Sequence, residues 1–396
     1  MRIIIAADTY YPHINGASFF AQRLAHYLQK NGHIVAVIAP SESFQNTEKK
    51  INGISVFGIS SLPILFYSGF RFSLPFFIKK EIKKIIKEFQ PDIIHVQSHF
   101  SICRAVISLA KKSHLPIIAT NHFMPENLTH YLHLPAFIEN LIKKIAWLDF
   151  SRIFNKVDLV TTPTESAAKL IRSRLKNIVK SVSCGIDLNR FNPKNNGDYL
   201  KEKYHLSNNK LILLYVGRLD KEKNIDLIIK AVAQVPSNID LHFVIAGTGA
   251  EKENLMNLSE KLSIKERVHL IGFVSDHDLE NIYRIAECFI IAGTAELQSI
   301  VTLEALASGL PVIAANAVAL PELVKDEENG FLFEPGDLDS LIKKIKTIFS
   351  DSTLRKKMAE KSLAIIANHS IEKTISQFEN IYFEQINRHS HEKNLR

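Results

Sequence analysis

Two acidic residues, Glu296 and Glu304, are placed where a sheet edge meets a helix. Glu296 follows the apolar strand predicted over Cys288–Ile291, and Glu304 lies about one turn into a helix predicted over Ile300–Ser308. Both carboxylates are therefore expected at the carboxyl end of a parallel sheet, where they can accept hydrogen bonds from a hydroxyl-rich ligand. The alternative is that both are ordinary solvent-facing acids, as isolated carboxylates usually are.

Two cations, Arg218 and Lys223, follow the strand predicted over Lys210–Val216. A guanidinium and an ammonium group at a strand end suit a diphosphate, although a solvated charged loop is the alternative. Farther along, the turn Gly247-Thr248-Gly249 is compatible with backbone contacts to a phosphate or a base edge. Compact packing explains these glycines equally well.

The first half of the chain has its own strand-to-helix turn at Asn15-Gly16, between the strand Arg2–Ala7 and the helix Ala17–Lys30. A glycine there lets backbone amides approach a phosphate at the helix N-terminus. The dinucleotide fingerprint G-x-G-x-x-G is absent from this turn, and Asn-Gly is also common in ordinary turns.

Histidines mark two further strand ends in the first half. His122 stands at the end of the strand Ile117–Thr120, and His95 and His99 flank the end of the preceding strand. A histidine at such a place is a candidate polar contact or acid–base group, and the alternative is a hydrogen-bonded structural residue.

No metal site is predicted. None of these histidines falls at a recognised ligand spacing, and the acid-x-acid pattern Asp276-His277-Asp278 follows Ser275 at the start of a predicted helix. Ser275 and Asp278 have the spacing of a helix-capping pair, which explains the pattern better than a metal does.

These residues can meet only if the surrounding elements form parallel sheets, and the hydropathy pattern predicts this. Apolar runs alternate with helical patterns, which is typical of βαβ units. The predicted strands are Arg2–Ala7, Ile34–Ala39, Ile93–Val96, Ile117–Thr120 and Leu159–Thr162, then Lys210–Val216, Leu241–Ala246, Val268–Ile271, Cys288–Ile291 and Val312–Ala314.

The polar segment 191–210 separates the two series and is interpreted as the interdomain connection. We therefore predict an α/β fold of two doubly wound, Rossmann-like domains, 1–192 and 193–375, facing a central cleft. Residues 376–396 are expected to form a C-terminal helix that packs back on the first domain, followed by a polar tail at Arg388–Arg396.

Composition narrows the class of protein. With 396 residues, 46% of them hydrophobic and 23% charged, the chain is typical of globular rather than disordered or low-complexity proteins. Three widely spaced cysteines exclude a disulfide framework and indicate a reducing compartment. No apolar run reaches the roughly 18 residues of a membrane span, and the first residues lack the layout of a signal peptide. A cytoplasmic location is expected.

The charge is unevenly distributed. Residues 1–194 contain 25 Lys and Arg against 12 Asp and Glu, whereas the rest of the chain contains 24 against 29. A basic half indicates a polyanionic partner, either an anionic membrane or nucleic acid. No aromatic-interleaved basic motif of a nucleic-acid-binding module is present, so nucleic acid is not predicted.

Taken in order, the motifs resemble those of the retaining family-4 glycosyltransferases of GT-B architecture. The resemblance covers nearly the whole chain and includes membrane-associated diacylglycerol glucosyltransferases and phosphatidylinositol mannosyltransferases. The motifs are Asn15-Gly16, Pro91-Asp92-Ile93-Ile94-His95, His122, Gly185-Ile186-Asp187, Gly217-Arg218-Leu219, Lys223-Asn224 and Glu296 to Glu304 followed by Ala305–Val312.

The resemblance implies roles for these residues in a donor site. Arg218 and Lys223 bind the donor diphosphate and stabilise the leaving nucleotide, Glu304 holds the ribose hydroxyls, and Glu296 holds the donor sugar. His122 contacts the sugar near the reacting carbon and, with Arg218, Lys223 and Glu296, completes the predicted catalytic set. The full donor-binding set is Gly16, Arg218, Lys223, Val274, Glu296, Ser299, Ile300, Val301 and Glu304.

Within that set, Gly16 lends a backbone amide to the phosphate and Val274 lies at the edge of the base. The family implies no metal or other cofactor, because the nucleotide sugar is a co-substrate. The chain departs from the family at Leu297-Gln298-Ser299, where the family often has Gly-Phe-Gly. The backbone that contacts the sugar hydroxyls therefore differs here.

The first domain of this architecture holds the acceptor, and here that domain is basic. The apolar, aromatic segment Leu62–Phe77 precedes a predicted helix whose lysines suit docking on an anionic bilayer. The alternative is that Leu62–Phe77 packs in the core beside a solvated helix face. The lysines are Lys79, Lys80, Lys83, Lys84 and Lys87.

We therefore predict transfer of a hexose, glucose from UDP-glucose first of all, to a membrane lipid such as diacylglycerol. The enzyme is expected to be peripheral on the inner face of the cell membrane. A soluble or lipopolysaccharide glycan as acceptor, and a non-catalytic sugar-nucleotide-binding protein, are the alternatives.

Overall fold

The computed structural model describes residues 1–12, 15–63, 71–124, 135–207 and 209–394. They form two compact units, Met1–Cys184 with Glu372–Arg396, and Gly185–Ile371. We refer to them as unit 1 and unit 2.

The polar segment 191–210 is part of unit 2 and does not form the interdomain connection that we predicted. Its polar residues form turns and caps instead: the Asn195 side chain donates to the carbonyl oxygens of Arg190 and Glu280 at 2.7 and 2.8 Å. Phe191 and Leu200 are buried in the core of the unit. The boundary between the units therefore falls before this segment, after Cys184.

Unit 1 is built on an eight-stranded sheet in the order β10-β9-β8-β7-β1-β2-β4-β3. All neighbours are parallel except β3 and β4, which form an antiparallel hairpin, and two short strands, β5 and β6, pair separately. The strands are β1 Arg2–Ala6, β2 Ile34–Pro40, β3 Thr47–Ile51, β4 Ile54–Ile59, β5 Leu62–Pro63, β6 Arg71–Phe72, β7 Ile93–Val96, β8 Ile117–Thr120, β9 Leu159–Thr162 and β10 Ile178–Ser181.

Helices cover both faces of this sheet because successive strand residues point to opposite sides. Its helices are α1 Gly16–Lys30, α2 Pro75–Phe89, α3 Ser101–Lys112, α4 Ala136–Phe154, α5 Glu165–Arg172 and α14 Ile371–Asn394. Ile94 and Val96 of β7 share one core with α2, α3, α4 and α5. His95, between them, points the other way and hydrogen-bonds Tyr382 of α14 at 2.7 Å.

Unit 2 contains a parallel sheet of six strands in the order β13-β12-β11-β14-β15-β16. The strands are β11 Leu211–Val216, β12 Leu241–Ala246, β13 Val268–Gly272, β14 Cys288–Ile291, β15 Val312–Ala315 and β16 Gly330–Phe333. The helices are α6 Asp198–Lys203, α7 Ile225–Ala233, α8 Lys252–Lys261, α9 Asp276–Ile282, α10 Ile300–Ala307, α11 Leu320–Leu323, α12 Leu338–Ser350 and α13 Ser352–Ile366. This is the predicted Rossmann-like arrangement. Strands β11 and β14 are parallel neighbours, so the loops that follow them lie at the same edge of the sheet.

The C-terminal helix α14 belongs to unit 1 from Glu372 onward. Besides the contact to His95, its Glu379 lies 2.8 Å from Nε2 of His33, and the ring of Phe378 lies 5.9 Å from that of Phe20. The polar tail predicted at Arg388–Arg396 is helical as far as Asn394, so that expectation was wrong for most of the segment. Among the described helices, none combines the length and the apolar character that crossing a bilayer requires.

Candidate functional site

In unit 2, Lys223 and Glu296 lie together, as their predicted places at neighbouring strand ends require. Lys223 ends a 3₁₀ turn after β11, Glu296 lies in the loop after β14, and the Lys223 ammonium is 2.7 Å from Oε1 of Glu296. A second carboxylate, Glu222, lies 3.8 Å from the same ammonium. Burial opposes the charge on Lys223, but Glu296 and Glu222 together outweigh burial and raise the pKa of Lys223. The ammonium is therefore charged at neutral pH.

Arg218 lies in the same charged group. Its guanidinium contacts Asp220 and lies 2.9 Å from Oε1 of Glu222, and the Tyr215 hydroxyl donates to its carbonyl oxygen at 2.8 Å. Glu222 is thus shared by both cations that we predicted for the diphosphate. Sequence reasoning missed the roles of Asp220 and Glu222, although the i, i+4 spacing of Arg218 and Glu222 is a usable signal.

The glycines of the turn after β12 are explained by packing. A Cβ at Gly247 would lie 1.8 Å from the carbonyl oxygen of Gly217, and one at Gly249 would lie 2.4 Å from that of Leu219. The two loops also exchange hydrogen bonds, since the Leu219 amide donates to the Thr248 carbonyl at 2.9 Å. The two glycines therefore allow this turn to pack closely against the loop that carries Arg218.

Glu304 is buried and is therefore not a solvent-facing acid. It is 7% exposed, and the hydroxyl of Tyr283 donates to its Oε2 at 2.5 Å. Burial, reinforced by the charge of Glu304, raises the pKa of Tyr283 well above its ordinary value, so the phenol stays a donor. Helix α10 is fixed at its start by Ser299, whose hydroxyl accepts from the Thr302 amide at 3.3 Å.

Arg190 is a charged neighbour that sequence reasoning missed. Its guanidinium lies 2.7 Å from Asp276 and 3.4 Å from Glu280, and it stacks 5.1 Å above the ring of Phe191. Burial works against its charge, but Asp276 and also Glu304 outweigh it and raise the pKa of Arg190. The charge of Glu304 therefore interacts electrostatically with a permanent positive charge.

The capping interpretation of the acid-x-acid pattern is confirmed. The Asp278 amide donates to the Ser275 hydroxyl at 3.2 Å, and that hydroxyl donates to Oδ2 of Asp278 at 2.9 Å. The Tyr199 hydroxyl adds a bond of 2.8 Å to the same carboxylate. The hydrogen bond from Lys203 is the main reason why the pKa of Asp278 lies well below its ordinary value.

The remaining predicted donor-binding residues of unit 2 are buried or partly buried. Val274 is buried just before the cap of α9, whereas Ile300 and Val301 are partly buried in the first turn of α10. Leu297 and Gln298, which stand where the family often has Gly-Phe, are both buried. The loop between Glu296 and α10 is thus filled by side chains.

In unit 1, His122 is held beside Gln97. Its Nε2 lies 3.1 Å from Oε1 of Gln97, and its ring lies 5.0 Å from that of Phe20. Burial lowers the pKa of His122 to about 4, so the imidazole is neutral at neutral pH and donates from Nε2 to the amide oxygen. Sequence reasoning missed Gln97, although this residue lies between His95 and His99 in the sequence.

Two buried side-chain amides near His122 use their oxygen atoms but not their nitrogen atoms. Within the described residues, the side-chain nitrogens of Gln97 and Asn121 make no hydrogen bond. Buried amides are normally satisfied, so these nitrogens are available donors at this end of the sheet.

His95 and His99 are structural. His95 lies between the hydroxyls of Tyr382 and Thr120 at 2.7 and 2.6 Å, and burial lowers its pKa to about 3. His99 packs among aromatic rings, 4.9 Å from Phe123, and burial lowers its pKa to about 4. The alternative of a hydrogen-bonded structural residue is thus confirmed for His95. His99 is held by ring packing instead, and its Nδ1 makes no hydrogen bond within the described residues.

Gly16 is the first residue of α1, which Asn15 caps by accepting from the Ser18 amide at 2.9 Å. A Cβ at Gly16 would meet nothing within 4 Å, so packing does not demand a glycine there. The turn after β1 carries a buried carboxylate, Asp8, which accepts from the Ile102 amide at 2.7 Å and so caps α3 from another element.

The buried histidines predict a loss of stability in acid. Their folded pKa values, about 3, 4 and 4, lie below the ordinary 6.5, so the unfolded chain binds more protons as the pH falls from 6.5 toward 4. Each should cost ~2 kcal/mol of unfolding free energy between pH 7 and pH 5. Urea unfolding at both pH values should show His99→Phe losing ~2 kcal/mol less than the parent; equal losses would contradict this.

Comparisons with known proteins match both parts of the chain. Residues 14–190 match the family described as Glycosyltransferase Family 4, and residues 198–364 match the family described as Glycosyl transferases group 1. The two matched ranges fall almost entirely in unit 1 and unit 2, respectively.

Curated relatives and a solved structure agree with these matches. The chain is 31% identical to an alpha-monoglucosyldiacylglycerol synthase of Streptococcus pneumoniae over 84% of this chain and 75% of that protein. It is 29% identical to the protein of the same name from Acholeplasma laidlawii, over 85% and 86% of the two chains. Sucrose-phosphate synthase of Thermosynechococcus elongatus superposes with a TM-score of 0.82 at 19% identity, over 98% of this chain and 100% of that one.

Proposed function

The chain belongs to family 4 of the glycosyltransferases with GT-B architecture, and on that premise we propose that it transfers glucose from UDP-glucose to diacylglycerol with retention at the anomeric carbon. The observation that carries the choice of acceptor is that two relatives aligning with most of the chain are both named alpha-monoglucosyldiacylglycerol synthase. The charged group in unit 2 supports the choice of a nucleotide donor.

Arg218 and Lys223 are suited to a diphosphate because both are already gathered around carboxylates. A diphosphate is an anionic, oxygen-rich partner like Glu222 and Glu296, and it finds the two cations already held close together. In the reaction, the bond between the anomeric carbon and the diphosphate oxygen breaks as the acceptor oxygen bonds to that carbon. The acceptor proton leaves with the phosphate, and the two cations stabilise the charge that develops there.

The buried carboxylate of Glu304 is suited to the ribose. A hydrogen bond to a charged, buried acceptor is worth about 1.5–3 kcal/mol, and it discriminates against a ligand that lacks the hydroxyl. Tyr283 donates to one carboxylate oxygen of Glu304, and the charge of Glu304 is one of the causes that raise the pKa of Arg190. In unit 1, the neutral His122 suits a hydrogen bond to a sugar hydroxyl better than it suits a charge.

Helix α2 supports peripheral attachment to the cytoplasmic face of a membrane. Its five lysines are exposed, and none makes an ion pair in the part of the chain that the structure describes. Each lysine near an anionic surface contributes about 1 kcal/mol. The lysines are Lys79, Lys80, Lys83, Lys84 and Lys87.

The segment Leu62–Phe77, proposed to dock beside these lysines, lies partly outside the described residues, which omit 64–70. In its described part, Phe72 and Leu74 are exposed, whereas Ser73 is buried. The two exposed apolar side chains are compatible with docking.

Mass spectrometry of lipids tests the proposed function. The protein is incubated with phosphatidylglycerol vesicles containing diacylglycerol and with UDP-, GDP- and ADP-sugars in turn. A gain of one hexose on diacylglycerol with UDP-glucose is the expected result. Nucleotide release without a glycolipid would mean that the acceptor is a glycan and not a lipid. The absence of both nucleotide release and glycolipid would contradict the proposed function.

A further inference from the structure

Helix α4 exposes a row of large apolar side chains. Phe137, Leu141, Ile145 and Leu148 are 73%, 56%, 57% and 63% exposed, respectively. Their spacing of three and four residues places them on one face of the helix, which we call the α4 stripe. Soluble proteins rarely expose contiguous apolar patches of this kind without a partner.

The opposite face of α4 is already used by the core. Phe150, Ile153 and Phe154 are buried in the core that fills one side of the sheet of unit 1. The α4 stripe is therefore distinct from the face of the helix that packs in the core, which is formed by buried residues near the C-terminal end of α4.

The charges beside the α4 stripe are positive. Lys144 and Arg152 are exposed and make no ion pair within the described residues. The acids of the helix are neutralised, since Glu139 lies 2.6 Å from Lys143 and Asp149 contacts Arg104 of α3. The apolar row is thus bordered by uncompensated cations, which favour an anionic surface.

The α4 stripe also lies on the same side of the sheet as the lysines of α2. Ile82 of α2, Val106 of α3 and Phe150 of α4 are members of one core cluster, so the three helices form a single layer. The outer surface of this layer carries the exposed lysines of α2, the exposed pair Lys111 and Lys112 of α3, and the α4 stripe.

We propose that the α4 stripe inserts into the interfacial region of an anionic bilayer while the lysines of α2 and α3 contact its headgroups. The choice of a bilayer rests on the proposed function, because the acceptor proposed above is a membrane lipid. Uncompensated cations beside the stripe oppose pairing with a second copy of the chain, since such pairing would bring like charges together. An anionic lipid surface satisfies both the apolar row and the charges.

The experiment compares vesicle binding by the variant Leu141→Gln, Ile145→Gln, Leu148→Gln with that by the parent. Glutamine keeps helix propensity, and the three sites are more than half exposed, so the fold should be kept. The matched control is Phe383→Gln, which removes a side chain that is 51% exposed on α14, on the other side of the sheet. Circular dichroism and thermal melting check that all three proteins are folded.

Co-sedimentation uses vesicles of phosphatidylglycerol and phosphatidylcholine without diacylglycerol or nucleotide. The triple variant is expected to bind at least tenfold more weakly than the parent, and its residual binding is expected to disappear at high salt. Phe383→Gln is expected to bind like the parent. Unchanged binding by the triple variant would overturn the proposal. So would the finding that the parent and Phe383→Gln are dimers in solution whereas the triple variant is a monomer.

Trp147 gives a second measurement on α4 itself, because it is the only tryptophan of the chain. Its fluorescence in the parent is expected to be quenched by lipids brominated on the acyl chains, and the triple variant is expected to lose most of that quenching. Because neither measurement involves sugar transfer, a missing glycolipid would refute the proposed function and leave the docking result standing. Glycolipid formation with unquenched Trp147 would refute the docking proposal alone.

Discussion

Lys223→Met is expected to reduce sugar transfer by about a thousandfold, the scale on which removal of a group that stabilises developing charge usually acts. Methionine keeps the unbranched stem of lysine but removes the ammonium that lies 2.7 Å from Glu296 and 3.8 Å from Glu222. Arg218 still pairs with Glu222, whereas Glu296 loses its cation and repels an incoming diphosphate. Both the donor affinity and the rate of the chemical step should therefore fall.

The matched control is Lys221→Met, in the same 3₁₀ turn. Lys221 is exposed and makes no ion pair among the described residues, so its loss should leave transfer within about twofold of the parent. Initial rates at saturating acceptor, together with calorimetry of UDP binding, separate the two effects. Transfer by Lys223→Met at the rate of Lys221→Met would exclude Lys223 from the donor site.

Most buried strands could be predicted from the sequence because each is a short apolar run ended by turn residues; these are β1, β2, β7, β8 and β9 in unit 1 and β11 to β15 in unit 2. The edge strands β10 and β16 were missed, although β16 is largely buried. The hairpin of β3 and β4 was missed, since β3 is polar at an exposed sheet edge and has little hydrophobic signal. Its turn did carry a signal: Asn52 and Gly53 both have left-handed φ values, 49° and 81°, which the Asn-Gly pair favours.

The C-terminal end of α14 was missed for a related reason. Residues after Arg388 are polar, which argues for a tail, yet the helix continues there, with Arg388 Nε 3.2 Å from Glu392 one turn on. Contacts between Lys180 and Glu384 at 2.9 Å and between His389 and Asp158 at 3.1 Å tie this helix to the rest of unit 1. Such long-range contacts have no local pattern in the sequence.

The candidate site was predictable where residues sit at the ends of neighbouring strands. Lys223 and Glu296 meet because β11 and β14 are adjacent, which follows from the order of a doubly wound sheet. Arg190 and Gln97 were missed because their partners, Asp276 and His122, lie far along the chain and on other elements. Motif spacing finds residues that share a loop, whereas side chains delivered from distant elements require the structure.

Glu304→Gln is expected to weaken UDP binding by roughly ten- to a hundredfold, because hydrogen bonds from ribose hydroxyls to a buried carboxylate are replaced by bonds to a neutral amide. Glutamine has nearly the same shape, and its amide oxygen can still accept from the Tyr283 hydroxyl, which lies 2.5 Å from Oε2 of Glu304. The fold of α10 should therefore be preserved, and Glu328→Gln, at an exposed position, is the control.

The ligand separates a ribose contact from a general loss of charge. Calorimetry compares UDP with 2′,3′-dideoxy-UDP, which lacks both ribose hydroxyls but keeps the base and the diphosphate. If Glu304 holds the ribose, the parent loses affinity for the dideoxy ligand, and Glu304→Gln then binds it as well as the parent does. An equal loss for both ligands would mean that Glu304 acts through the electrostatics it shares with Arg190. Unchanged affinity for UDP would remove Glu304 from the donor site altogether.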